Sequence, residues 1–194
     1  MSKSSNMSLK ACVSLFSIWM ISPDEVKLLL EKVTEFLINY VKAFKDAGAD
    51  GVIMAEPAAG LLSPTLAEEF SMPYVKKIID AVSDDDFVFC YHNCGNAVVN
   101  MADSISTLGA DIYHFGNAIS LKDIIGQMPS DSVVMGNVDP ILFKSGSVDD
   151  VKNAVQKVFD ECNAFDNFMI SSGCDIPAHA SWDNIAAFFD EVGK

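Results

Sequence analysis

Phe87-Val88-Phe89-Cys90-Tyr91-His92-Asn93-Cys94, closed by Gly95, is the stretch whose reading sets the rest of the chain. Its first half is apolar and aromatic-rich and is bounded by Asp84–Asp86 and Gly95, which predicts a buried strand, not a helix. Side chains alternate across a strand, so His92 and Cys94 share one face while Tyr91 and Asn93 take the other. An imidazole and a thiolate two residues apart on one face can hold the same cation, which makes half of a zinc site. Two buried side chains at a strand end satisfy the same pattern. A four-coordinate ion needs ligands from elsewhere in the chain. Cys174, in Ser171-Ser172-Gly173-Cys174-Asp175-Ile176-Pro177 just beyond the apolar run Phe168–Ile170, is the natural third.

Working outward, strand and helix patterns alternate. Ser22-Pro23-Asp24-Glu25 has the form of a capping box. Val26, Leu29, Leu30, Val33, Leu37, Tyr40, Val41 and Phe44 then recur at helical spacing until Gly48, which predicts a long amphipathic helix with its apolar stripe on a core. A strand over Val52–Ala55 ends at Glu56-Pro57, and a loop leads to a helix over Thr65–Val82, broken near Met72-Pro73. Beyond the central strand the same reasoning predicts a helix over Val99–Leu108, a strand over Ile112–Phe115, and a helix over Leu121–Met128 capped by Ser120 with Asp123. There follow a strand over Ser132–Met135, a helix over Val148–Ala164 capped by Ser147 with Asp150, the run Phe168–Ile170, and a closing helix Trp182–Val192 capped by Ser181.

Counting Ala11–Ser17, about six strands result, and such alternation implies parallel strands joined by right-handed crossovers. A closed barrel of eight strands takes about 250 residues. The expected fold is therefore α/β, of the (β/α)8 TIM-barrel type, incomplete with its N-terminal units missing. Residues 1–194 form a single domain on this reading.

Half of the 194 residues are hydrophobic, enough for one substantial core. The net charge of −14 argues against nucleic acid as a partner, because phosphate backbones are bound by clustered Lys and Arg. All 13 basic residues are Lys, so rigid bidentate clamping of carboxylates by Arg is absent from the sequence. Five cysteines, an odd number in a chain of this size, read as reduced thiols of a cytoplasmic protein. Lys3, Lys10 and the apolar run Ala11–Ile21 imitate a secretory signal, but the run is too short to span a bilayer and is followed by a helix start; it reads as a buried strand.

The polar residues collect after strands: Glu56, His92 with Cys94, Asn117, Asn137 with Asp139, and Cys174 with Asp175. Carboxyl ends of parallel strands share one face, where βα folds build their sites. His114, at another strand end, is either a pocket group or a hydrogen-bonded wall residue. Cys90 lies one layer deeper than His92 and reads as core, and Cys12 and Cys162 read as buried small hydrophobes. His179 carries no assigned role.

Glu56-Pro57 with the loop to Ser63-Pro64 and Pro73-Tyr74, His92-Asn93-Cys94-Gly95, Gly136-Asn137-Val138-Asp139-Pro140, and Gly173-Cys174-Asp175-Ile176-Pro177 with Asn184 resemble the uroporphyrinogen decarboxylase superfamily. The likeness runs from about Ala11 to the C-terminus. Within that superfamily, His-x-Cys with a distant Gly-Cys resembles the zinc-dependent corrinoid:thiol methyltransferases. The resemblance implies His92, Cys94 and Cys174 as ligands of Zn2+, with Glu56 as a fourth or exchangeable position. It also implies a corrinoid presented by a carrier protein and a small thiol substrate such as coenzyme M. Glu56, His114 and Asp139 are then the catalytic candidates, and Asn117, Asn137 and Asp175 the groups nearest the cofactor.

Decarboxylation of a tetrapyrrole is the alternative. It needs cationic carboxylate clamps, which the resemblance implies are arginines of the decarboxylases' N-terminal portion; with that portion and any Arg missing from this sequence, the reading is disfavoured. A non-catalytic truncated barrel or accessory subunit is a third reading. Unpaired strand edges would then drive self-association.

Overall fold

The computed structural model describes residues 22–194. The expected strand at Ala11–Ser17 lies outside them.

Helix α1 (Pro23–Asp46) opens the described chain and leads into β1 (Gly51–Ala55). A short 3-10 turn (Ala59–Leu61), α2 (Pro64–Phe70) and α3 (Met72–Val82) follow, and the latter two are separated at Ser71 before Pro73, where the missing backbone donor interrupts a helix. Then come β2 (Val88–Asn93), a 3-10 turn (Val98–Met101), α4 (Ala102–Ser106), β3 (Ile112–Phe115) and α5 (Lys122–Ile125). The chain closes with β4 (Val133–Val138), α6 (Leu142–Ser145), α7 (Val148–Cys162), β5 (Phe168–Ser172) and α8 (Trp182–Val192).

The five strands are all parallel and stand in chain order, β1-β2-β3-β4-β5. Among the described residues this is an arc of a TIM-type barrel, with β1 and β5 as its outermost strands. Register places Ala55 beside His92 and His92 beside His114, so the sequence's chemistry falls in one row. Alternation then divides the sheet. Phe89, Tyr91, Tyr113 and Phe115 are fully buried beneath the helices, while Ile53, Val88 and Met169 stand exposed on the concave side. Most of the apolar core lies between the sheet and helices α2 to α5, and a second cluster gathers Val151, Val155, Phe143 and Phe188 under α7 and α8.

Helix α1 departs from the sequence reading. Of its apolar stripe only Val26 and Val41 are buried, whereas Leu29, Val33, Tyr40 and Phe44 are exposed. The helix is fastened to α3 by its other flank, through the Lys77–Glu31 ion pair at 2.5 Å, and to α2 through Lys27–Glu69 at 2.6 Å. The Ser22 cap does not form a side-chain hydrogen bond, and Ser120 donates instead to Glu161 at 2.7 Å. Among the described residues, Ser147 with Asp150 makes the reciprocal capping box.

Candidate metal centre

Two segments remote in the chain converge over the concave face. The end of β2 carries His92 and Cys94, and the turn after β5 carries Cys174. The coordinating atoms of these three residues all lie within 4.8 Å of one another. His92 Nε2 stands 3.6 Å from Cys174 Sγ, although β3 and β4 separate their strands in the sheet. Curvature of the arc turns both rim positions toward a common point.

Each ligand is held from behind. His92 Nδ1 lies 3.2 Å from the His114 carbonyl oxygen. Assigning the proton to Nδ1 satisfies that carbonyl and leaves the Nε2 lone pair facing the sulfurs, the arrangement by which outer hydrogen bonds orient a metal-binding imidazole. The His114 ring packs against His92 with centroids 4.5 Å apart, and its Nε2 reaches the Ser172 carbonyl at 2.7 Å. Ser172 Oγ in turn donates to the Cys174 carbonyl at 2.8 Å, which fixes the turn after β5.

Backbone crowding positions Cys94. A Cβ on Gly116 would sit 2.6 Å from Cys94 Cα and Cβ, and a Cβ on Gly95 would sit 2.2 Å from Gly60 Cα. Only glycine allows the loops after β1, β2 and β3 to pass this closely.

Burial sets the electrostatics of His92, His114 and Cys94. Burial, with the neighbouring His114 charge, holds His92 below its ordinary range, and burial does the same to His114. Burial and the adjacent Cys174 push the Cys94 thiol up. All three effects disfavour charge, as expected for partly desolvated groups. The cavity over the three residues measures about 810 Å³, and Ile53, Met135, Asp175 and Ile176 are among the residues that line it.

The remaining sequence candidates divide. His114 and Asp175 share this cavity. Asn117, Asn137 and Asp139 line a separate one of about 390 Å³ together with Lys157 and Glu161. Asn137 Nδ2 donates to the Gly116 and Ile119 carbonyls at 3.1 and 2.9 Å, so it pins the segment bearing Gly116. Asp139 Oδ1 accepts from the Ile141 amide at 2.9 Å and closes the turn after β4. Asn184 is buried and donates to the carbonyls of Leu142, Phe143 and Gly146.

Glu56 requires a correction, because it does not join the three ligands. Its neighbour Ala55 lines the cavity, and Glu56 points into the helix layer, where it accepts from Ser71 Oγ at 2.8 and 3.0 Å and from Tyr91 Oη at 3.1 Å. Ser172, by contrast, was missed from sequence. Its place between a strand and Gly173-Cys174 was the available signal.

An α/β arc with an imidazole and two thiols at its C-terminal rim defines a class, and comparison supplies the family. The model of the uroporphyrinogen decarboxylase (URO-D) family matches residues 8–194, and the chain belongs to that family. Its relatives include the methylcobamide:CoM methyltransferase MtbA of Methanosarcina mazei, 31% identical over 140 residues, which cover 71% of this chain and 41% of that protein. The chloroplastic uroporphyrinogen decarboxylase 2 of Oryza sativa is 30% identical over 178 residues, covering 89% of this chain and 43% of that one. Among solved structures, a methyltransferase from Methanosarcina mazei superposes with a TM-score of 0.79 at 25% identity, covering 92% of this chain and 52% of its own. The chain thus spans less than half the length of these two curated relatives.

Proposed function

We propose that the chain carries the thiol-activating half of a zinc-dependent methyltransferase that moves a methyl group from a methyl-corrinoid protein to a small thiol such as coenzyme M. The observation that supports this reading is the meeting of His92, Cys94 and Cys174 within 4.8 Å from two remote segments. Two soft sulfurs and one imidazole are a donor set suited to Zn2+, and three protein ligands are the number that leaves a position open for substrate. Zinc held there would supply the charge that keeps a thiol substrate as its thiolate near neutral pH.

The protein's own residues then have defined tasks. His114 and Ser172 hold the His92 ring and the Cys174 turn in place. Ile53, Met135 and Ile176 give the cavity beside the sulfurs apolar walls, and Asp175 lines it as well. In this reading the thiol proton would leave to solvent and the substrate sulfur would bond to the methyl carbon, the methyl donor keeping the electron pair of the bond that it gives up. A corrinoid carrier must approach the open C-terminal rim for this transfer to occur.

Metal analysis tests the reading. About one zinc per chain is expected, lost on Cys94→Ser, since a three-ligand site does not survive removal of a thiolate. Free alkylation of both Cys94 and Cys174 in zinc-replete protein would sink it. The similarity to uroporphyrinogen decarboxylases supports a second reading, for which turnover of uroporphyrinogen by zinc-stripped protein is the decisive result.

A further inference from the structure

The helix-side face of β2 reaches the metal centre from behind. Tyr91 and Asn93 alternate with His92 and Cys94, and both are fully buried. Asn93 uses both ends of its side-chain amide: Nδ2 donates to Tyr91 Oη at 3.1 Å, and Oδ1 accepts from the Gly95 amide at 3.0 Å. A backbone N–H can only donate, so Gly95 fixes which end of the Asn93 side chain faces it. The bond runs from residue i to residue i+2, and it closes a turn whose central residue is Cys94.

That turn is tied on every side that the structure shows. The Asn93 carbonyl accepts from the Gly116 amide at 3.2 Å, and the Gly116 carbonyl accepts in turn from Asn137 Nδ2. Gly60, in the loop after β1, crosses over Gly95; a Cβ on Gly60 would lie 2.4 Å from Gly95 Cα and 3.0 Å from Asn93 Oδ1. Behind Tyr91 the hydrogen bonds continue through Glu56 to Ser71 in the helix layer.

We propose that Asn93 is a positioning residue of the metal centre: the turn that its side chain closes around Cys94 sets where the Cys94 sulfur stands relative to His92 and Cys174. The assignment rests on the metal-binding reading of those three residues. Asn93 touches neither substrate nor cation and acts through the Gly95 amide. The bonds from Tyr91 to Glu56 and Ser71 brace the layer behind the turn and do not touch Cys94, so their loss costs stability and spares the sulfur.

Cobalt(II) binding to the 194-residue chain tests the assignment. Thiolate-to-cobalt charge-transfer absorption reports the sulfurs, and urea unfolding of the metal-free chain reports stability. Asn93→Ala should bind cobalt about tenfold or more weakly, the usual cost of losing an outer hydrogen bond at a metal site. It should also lose part of the charge-transfer absorption. Asn93→Asp keeps an oxygen facing the Gly95 amide and should restore both. Tyr91→Phe should unfold at lower urea yet keep the parent's cobalt affinity and spectrum. Parent-like affinity and spectrum in Asn93→Ala overturn the proposal. So does a loss of affinity in Tyr91→Phe as large as that in Asn93→Ala, which would make Asn93 one more core contact. Where Asn93→Ala does not fold, Asn93→Asp decides: the parent's spectrum upholds the assignment and a diminished one overturns it. A parent chain without any thiolate-to-cobalt absorption fails at an earlier step, and the metal reading falls together with the assignment.

Discussion

Inside the helix layer, Glu56 is a carboxylate whose burial outweighs the Ser71 and Tyr91 hydrogen bonds, and its affinity for a proton rises above the ordinary range. The folded chain therefore favours the protonated form. Stability from this group is present below the unfolded carboxyl value and is lost as pH rises through the raised folded one. Glu56→Gln removes that charge penalty while keeping an acceptor for one hydroxyl. Urea unfolding at about pH 4.5 and about pH 7.5 should show the variant gaining on the parent chain at the higher pH. An equal difference at both would mean that Glu56 ionises freely. The residue also marks where sequence reading stopped. His92, Cys94 and Cys174 were legible because strand ends and two-residue alternation both pointed to one rim. Glu56 follows a strand as well, but one step of parity places it on the opposite face, and counting from Ala55 would have shown this.

Among the elements, strands were more legible than helix ends. Apolar runs bounded by Asp, Gly and Pro located all five described strands, since parallel strands are built from such runs, even though the concave face here leaves Ile53, Val88 and Met169 exposed. Caps were less legible because a serine hydroxyl has competing partners: Ser120 takes Glu161, whereas Ser147 meets both the Asp150 amide and its carboxylate. The apolar stripe of α1 was read as a core face because periodicity reports amphipathicity and not what covers it. Helix α7 provides the test of capping. Ser147→Ala should cost about 1 kcal/mol in urea unfolding, while Ser22→Ala, at a position without a side-chain cap, should change little. Equal costs would place the worth of Ser147 elsewhere than in the capping box.

At the scale of the whole molecule, the candidate ligands join parts of the arc that the sheet itself leaves apart. His92 lies in β2 with Cys94 just beyond its end, Cys174 lies in the turn after β5, and no backbone ladder connects β2 and β5 directly. A cation there would tie four of the five strands into one unit, so its binding energy would appear as resistance to unfolding. With zinc about 100-fold above its dissociation constant, the gain should be about 2.7 kcal/mol. The effect should also grow from about pH 6 to about pH 8, because metal binding must displace the proton of the raised Cys94 thiol, whereas the lowered His92 gives up its proton more readily than a free imidazole. Thermal unfolding with zinc and with chelator, across that pH range, measures both. Cys174→Ser should remove most of the zinc-dependent shift, because it cuts the link between the β5 turn and β2. A shift of equal size in that variant, or one that ignores pH, would place the bound zinc elsewhere on an acidic surface and leave the arc held by its sheet alone.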